Sequence, residues 1–129
     1  MAQVKIYARR AQIDRVRAAL SDAIHGVFMA IVGLPEDKRF HRFIALDDAD
    51  FIHPADRGGG YTVIKIVMFE GRSDATKRAL LRGLMTAISD AAGVPVDAIE
   101  ITIIETPKAH WGIRGRLGDE LALSYVVET

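Results

Sequence analysis

From Gln3 to Ala8 the chain is short in period and rich in branched residues, which predicts a β-strand. From about Gln12 to Val32 the apolar residues Val16, Leu20, Ile24, Val27 and Ile31 recur every three or four positions. That spacing places them in one stripe along a helix. Gly33 follows as a helix-ending glycine, and Pro35 prevents continuation. Phe40 to Leu46 predicts a second strand. The pattern then restarts with a strand over Thr62 to Phe69, a helix over about Ser73 to Ala92 and a strand over Ile99 to Glu105. Ser73 can cap its helix, because its hydroxyl can accept a free first-turn N–H. Leu80, Leu84, Ile88 and Ala91 form the second stripe, and Gly93-Val94-Pro95 ends it.

The restart is a repeat. At an offset of 60, Val4-Lys5-Ile6 matches Ile64-Lys65-Ile66, Ala19-Leu20 matches Ala79-Leu80, and Gly33-Leu34-Pro35-Glu36-Asp37 matches Gly93-Val94-Pro95-Val96-Asp97. The copies cover about 2–46 and 62–106, each β-α-β, within a single domain spanning 1–129. A helix between two strands implies a right-handed crossover between parallel strands. Two such units predict an α/β (α+β) fold: a four-stranded mixed sheet with two helices on one face. Val63, Ile64, Ile66, Val67, Met68 and Phe69 make the third strand apolar on both sides, with Lys65 as its polar member. A sheet face left bare would expose a large apolar patch, so an oligomer closed over the sheet is expected.

Two segments lack a counterpart. The polar insert 47–60 ends in Arg57-Gly58-Gly59-Gly60, which predicts a mobile or tightly turning connection. The tail 107–129 carries Trp111, with Arg114 and Arg116 among glycines, and ends in a β-like Tyr125-Val126-Val127.

Half the residues are hydrophobic and the formal net charge is +0, so bulk charge favours neither nucleic acid nor an anionic membrane. Absence of cysteine excludes thiol chemistry and disulfides. No apolar run reaches the length of a membrane span, and the first residues lack a signal-peptide core. A cytoplasmic location is expected.

Two β-α-β copies, Gly33 through Phe40 before the second strand, Glu70-Gly71-Arg72-Ser73 before the second helix, and Glu105 through Trp111 before a Gly/Arg tail resemble the tautomerase superfamily. Within it they look like the malonate semialdehyde decarboxylase-like branch, and His25-Gly26 fits as well. The resemblance covers nearly the whole chain. It implies homotrimers with active sites near subunit contacts, no cofactor and no metal. It also implies an N-terminal proline as acid or base, arginines that hold the substrate's carboxylate, and an assisting aspartate in the decarboxylase. Arg72 falls on one family arginine. The position after Met1 is Ala2, the family aspartate aligns with Lys38 with Asp37 one residue earlier, and a further decarboxylase arginine aligns with Glu70. The tail is about one residue shorter and reads Trp-Gly-Ile-Arg.

The implied activity is proton transfer on a small keto/enol carboxylate without the usual proline. The alternative is a non-catalytic small-anion-binding trimer, and decarboxylation ranks behind both. Removal of Met1 leaves a primary amine on Ala2 that burial and nearby cations can keep neutral, making it one candidate base. His41 is the other, since histidine titrates near neutrality. Arg72 sits where strand meets helix and is the leading carboxylate anchor, with Arg39, Lys38, Arg114 and Arg116 as further cations and Trp111 as a wall or interface aromatic. Strand alternation puts Arg39 and His41 on one side and Phe40 and Arg42 on the other. His25 reads as packing and His53 as exposed. Four scattered histidines make a poor metal case. Lys5 and Lys65 sit mid-strand in both copies and suggest a symmetric structural role.

Overall fold

The computed structural model describes residues 1–129. Strand β1 (Ala2–Arg9) leads directly into helix α1 (Arg10–Val32), and β2 (His41–Leu46) closes the first unit. The second unit is β3 (Thr62–Phe69), α2 (Asp74–Ala92) and β4 (Ile99–Thr106). A two-stranded ribbon, β5 (Gly112–Ile113) and β6 (Arg116–Leu117), follows. The main sheet has the order β2-β1-β3-β4. Within each unit the strands are parallel, and the units meet antiparallel through β1 and β3.

Lys5 pairs with Lys65 in that central register. The offset of the repeat relates the same two residues, so the pseudo-twofold axis passes between them. Both lysines are exposed on the sheet face that carries no helix. Two like charges directly opposite disfavour close approach. Lys65 Nζ instead lies 5.6 Å from the Tyr7 ring centre.

Alternation along β1 and β3 sends Val4, Ile6, Ile64 and Ile66 into the helix-covered core, each at most 2 % exposed. The helices meet them with Val16, Leu20, Ile24, Phe28 and Val32 from α1 and Leu80, Leu84, Ile88 and Ala92 from α2. Here the expected stripe is corrected: Val27 is half-buried and Ile31 is 37 % exposed, while Phe28 and Val32 are buried. The buried residues keep a spacing of four from Val16 to Val32, which advances about 40° per step on a 3.6-residue helix, so the packed face winds around α1. Gly33 and Gly93 end both helices at φ 68° and 69°, a left-handed conformation that a side chain disfavours. Ser73 caps α2, its Oγ accepting the Thr76 N–H at 3.2 Å.

The insert turns tightly. It makes two 3-10 turns, and Arg10–Asp47 and Arg57–Glu100 ion pairs at 3.0 and 2.8 Å tie it down. His53 is not free in solvent as expected; it is half-buried against Phe51 and Tyr61, with ring centres 5.1 and 4.7 Å away. Tyr125 to Val127 forms no strand within the chain. Val127 is buried instead, lying against Gly71. No helix is long and apolar enough to cross a membrane.

Candidate functional site

The start of β1 lies in a cavity of about 350 Å³. Its floor is Met1 and Ala2, one wall is the turn before β2 with Leu34, Lys38 and Phe40, and the rim is Ile113 and Arg114 of the ribbon. Residues 121–125 of the tail close the remaining side. Nine of the twelve lining residues are hydrophobic, so the few polar groups act in a poorly solvated space. Arg114 and Gly115 form the ribbon's two-residue turn at φ 52° and 81°. The sequence thus accepts left-handed backbone at a non-glycine residue, which carries the Arg114 guanidinium to the cavity rim.

The Met1 amino group donates a hydrogen bond to Tyr125 Oη. Burial, then the charges of Arg72 and Lys108, lower its pKa to about 5. A neutral amine at pH 7 is a proton acceptor.

Arg72, between β3 and α2, is 4 % exposed, yet no carboxylate holds it. Its Nη1 donates to the Phe69 carbonyl at 3.4 Å, while Nε and Nη2 are buried with no partner. Burial pulls its pKa below the ordinary value, with Tyr125, Glu105 and Glu128 pulling upward. Those carboxylates are engaged elsewhere: Glu105 accepts from Lys77 at 2.7 Å, and Glu128 pairs with Lys108 at 3.4 Å. Leaving two guanidinium donors unmade is costly, so the arrangement is suited to an incoming anion.

The pseudo-symmetry supplies an internal control. Gln12 occupies in the first copy the place of Arg72 in the second, and Thr62 that of Ala2. Gln12 is 5 % exposed and fully occupied, its Nε2 donating to Thr62 Oγ1 at 2.7 Å and to the Gly60 carbonyl at 3.5 Å. Gln12 spends its donors on internal hydrogen bonds, whereas the equivalent Arg72 is left with unmet ones.

Of the residues singled out from sequence, Ala2, Lys38 and Arg114 line the cavity, and Arg72 lies close enough to act on the amine's charge. Trp111 stands behind it, its Nε1 donating to Thr106 Oγ1 at 2.5 Å and its ring edge-to-face with Phe69 at 5.1 Å. Arg116 is exposed on β6. Arg39 and His41 share a side, as alternation requires, but line a separate open groove beside α1. Arg39 Nη1 pairs with Asp22 at 2.6 Å, and His41 Nδ1 contacts Ser21 Oγ at 2.8 Å. Tyr125 was read from sequence only as part of a β-like ending and Lys108 was not singled out, because no motif in the tail marks either as a site residue. No group of three or more His, Asp or Glu residues could hold a metal ion.

His41 has its pKa lowered to about 4, by burial first and then by Arg39 and His25. The native state therefore keeps it neutral, while the unfolded chain takes up a proton near pH 6.5. Its contribution to stability is present above pH 6.5 and is lost as pH falls towards 4. His41→Gln is expected to show a smaller Tm drop between pH 7 and pH 4.5 than the unsubstituted chain. Equal drops by thermal melting would show that His41 plays no part in acid destabilisation.

Solved structures share this architecture. Malonate semialdehyde decarboxylase superposes with a TM-score of 0.77 at 21% identity, covering 88% of this chain and 92% of that one. Native fused 4-OT gives 0.82 at 22% identity, covering 92% and 98%. A 2-hydroxymuconate tautomerase of Pseudomonas putida is 39% identical over 57 residues, which is 44% of this chain but 90% of the relative. A probable tautomerase of Ralstonia nicotianae is 36% identical over 53 residues, 41% and 76% of the two chains. Matches of this length equal about one β-α-β unit, as a doubled chain requires. The family described as tautomerase enzyme matches residues 38–114, more than half of the chain and including Lys38, Arg72 and Arg114, and the chain belongs to that family.

Proposed function

We propose that this chain is a cytoplasmic, homotrimeric tautomerase of the malonate semialdehyde decarboxylase-like branch. It acts on a small keto/enol carboxylate by proton transfer without an N-terminal proline. The observation that carries this is Arg72: a buried guanidinium with two unpartnered nitrogens beside an amine held neutral. Arg72 binds the substrate carboxylate, and Lys38 and Arg114 attract the anion to the cavity. The neutral amine takes the enol proton, the apolar walls keep water out, and no metal or cofactor enters. With Met1 in place the amine is its own; after Met1 removal it belongs to Ala2, one residue further along β1. Relatives named for 2-hydroxymuconate support an enol carboxylate as the substrate class. Decarboxylation is disfavoured by Lys38 standing at the family's aspartate.

The test is ketonisation of phenylenolpyruvate by the full chain, with its N-terminus established by intact mass. Turnover that collapses in Arg72→Met supports the enzyme. Ala2 in the proline position favours a second reading, a trimer that binds small anions without turning them over. Absence of turnover with carboxylate binding retained would establish that reading instead.

A further inference from the structure

Resting on the tautomerase reading, we propose that Tyr125 is the second proton-transfer group of this site. Its hydroxyl delivers a proton to the substrate carbon while the amine removes one from the enol oxygen.

Four observations meet at this residue. Tyr125 Oη accepts the hydrogen bond of the amine, which occupies an oxygen lone pair and leaves the phenolic hydrogen directed elsewhere. Apart from the amine, Tyr125 Oη has no hydrogen-bond partner within the chain. The residue lines the same cavity as Ala2, Lys38 and Arg114, and its ring packs against the hydrophobic core. Burial raises the phenol's pKa and Arg72 opposes that shift, while burial and then Arg72 lower that of the amine, so a carboxylate on Arg72 sits near both groups.

The segment carrying Tyr125 is fastened at its far end and not by strand pairing. Val127 is 1 % exposed, Glu128 pairs with Lys108 at 3.4 Å, and the Thr129 carbonyl accepts from Thr76 Oγ1 at 2.8 Å. A strap anchored this way sets the phenol's position to that of α2, the element that Arg72 precedes.

In the step itself, the enol O–H bond breaks and its proton goes to the amine nitrogen, while the oxygen keeps the electron pair to form C=O. The enol C=C pair takes the phenolic proton, giving the new C–H bond and a phenolate. The Arg72 cation stabilises that phenolate. The ammonium then returns a proton to the phenolate along their existing hydrogen bond, restoring both groups.

The test is Tyr125→Phe in the full chain. Phenylalanine keeps the ring and its packing and removes only the hydroxyl. The expected result is a kcat for phenylenolpyruvate lowered about a hundredfold or more, the range typical of losing one acid–base group. KM and competitive inhibition by benzoate should stay within about threefold, and Tm should be unchanged. A variant with full kcat overturns the inference and leaves the tautomerase reading standing. Loss of kcat together with benzoate binding or with Tm also overturns it, because a structural role explains that pattern. An unsubstituted chain with no turnover overturns the tautomerase reading and this inference together.

Discussion

Replacing Arg72 with methionine is expected to make the protein more stable and nearly inactive. Methionine is flexible, similar in length and free of donors, so it can fill the space the guanidinium leaves. The substitution removes two buried guanidinium nitrogens without partners, each costing about 1–3 kcal/mol, and loses one bond to the Phe69 carbonyl worth about 1 kcal/mol. The net gain of about 1–5 kcal/mol corresponds to roughly 4–18 °C in Tm for a domain of this size. The same substitution deletes the charge-assisted bonds to the substrate carboxylate. Two such bonds support a loss of about a hundredfold or more in kcat/KM, which equals about 2.7 kcal/mol of transition-state binding. Thermal melting and ketonisation kinetics read the two halves separately. A lower Tm with unaltered kcat/KM would make Arg72 an ordinary structural arginine and remove the main support for the site.

The second large effect concerns the repeat. Leu20→Ala and Leu80→Ala are each expected to destabilise the fold by about 2–5 kcal/mol, the range for deleting a buried leucine side chain. Both residues are 0 % exposed, and they are equivalent under the pseudo-twofold axis. The two losses should therefore agree within about 1 kcal/mol when urea unfolding is followed at one protein concentration. A large inequality would mean that the two helices do not share the core evenly. Total stability of such domains is about 5–15 kcal/mol, so either change removes a sizeable fraction of it.

Much of the architecture could be read before the coordinates because the pattern is stated twice. Strand and helix positions, both glycine stops and the Ser73 cap follow from local rules that each copy repeats. The central antiparallel pairing of β1 with β3 did not follow from those rules. It comes from how the units join, and the coincidence of Lys5 with Lys65 identifies it only in three dimensions. The α1 stripe was misplaced at its end, where Val27 and Ile31 yield to Phe28 and Val32, because a straight stripe was assumed and the buried face winds around the helix. In the site, Arg72 was legible from its place at a strand-to-helix junction. Lys38 and Arg39 were both expected to bring cations to the site, yet adjacent residues diverge: Lys38 lines the cavity and Arg39 turns to Asp22 on α1. Tyr125 was out of reach, since its role depends on how a tail without periodicity folds back across about 120 residues to the chain start.

The hydrogen-bonded pair of Gln12 and Thr62 has a consequence for stoichiometry. A doubled β-α-β chain offers two equivalent sheet ends, and without that pair both could take an anion. Gln12 is neutral and its donor is already spent on Thr62 and Gly60, and Arg9 near that end is paired with Asp48 at 3.4 Å, so that end offers a ligand no unpaired charge. Calorimetric titration with a small carboxylate should saturate at one equivalent per chain, and two equivalents would show that the second end opens. Duplication thus gave this chain a spare end that serves as a lock on the fold and leaves a single seat for the ligand.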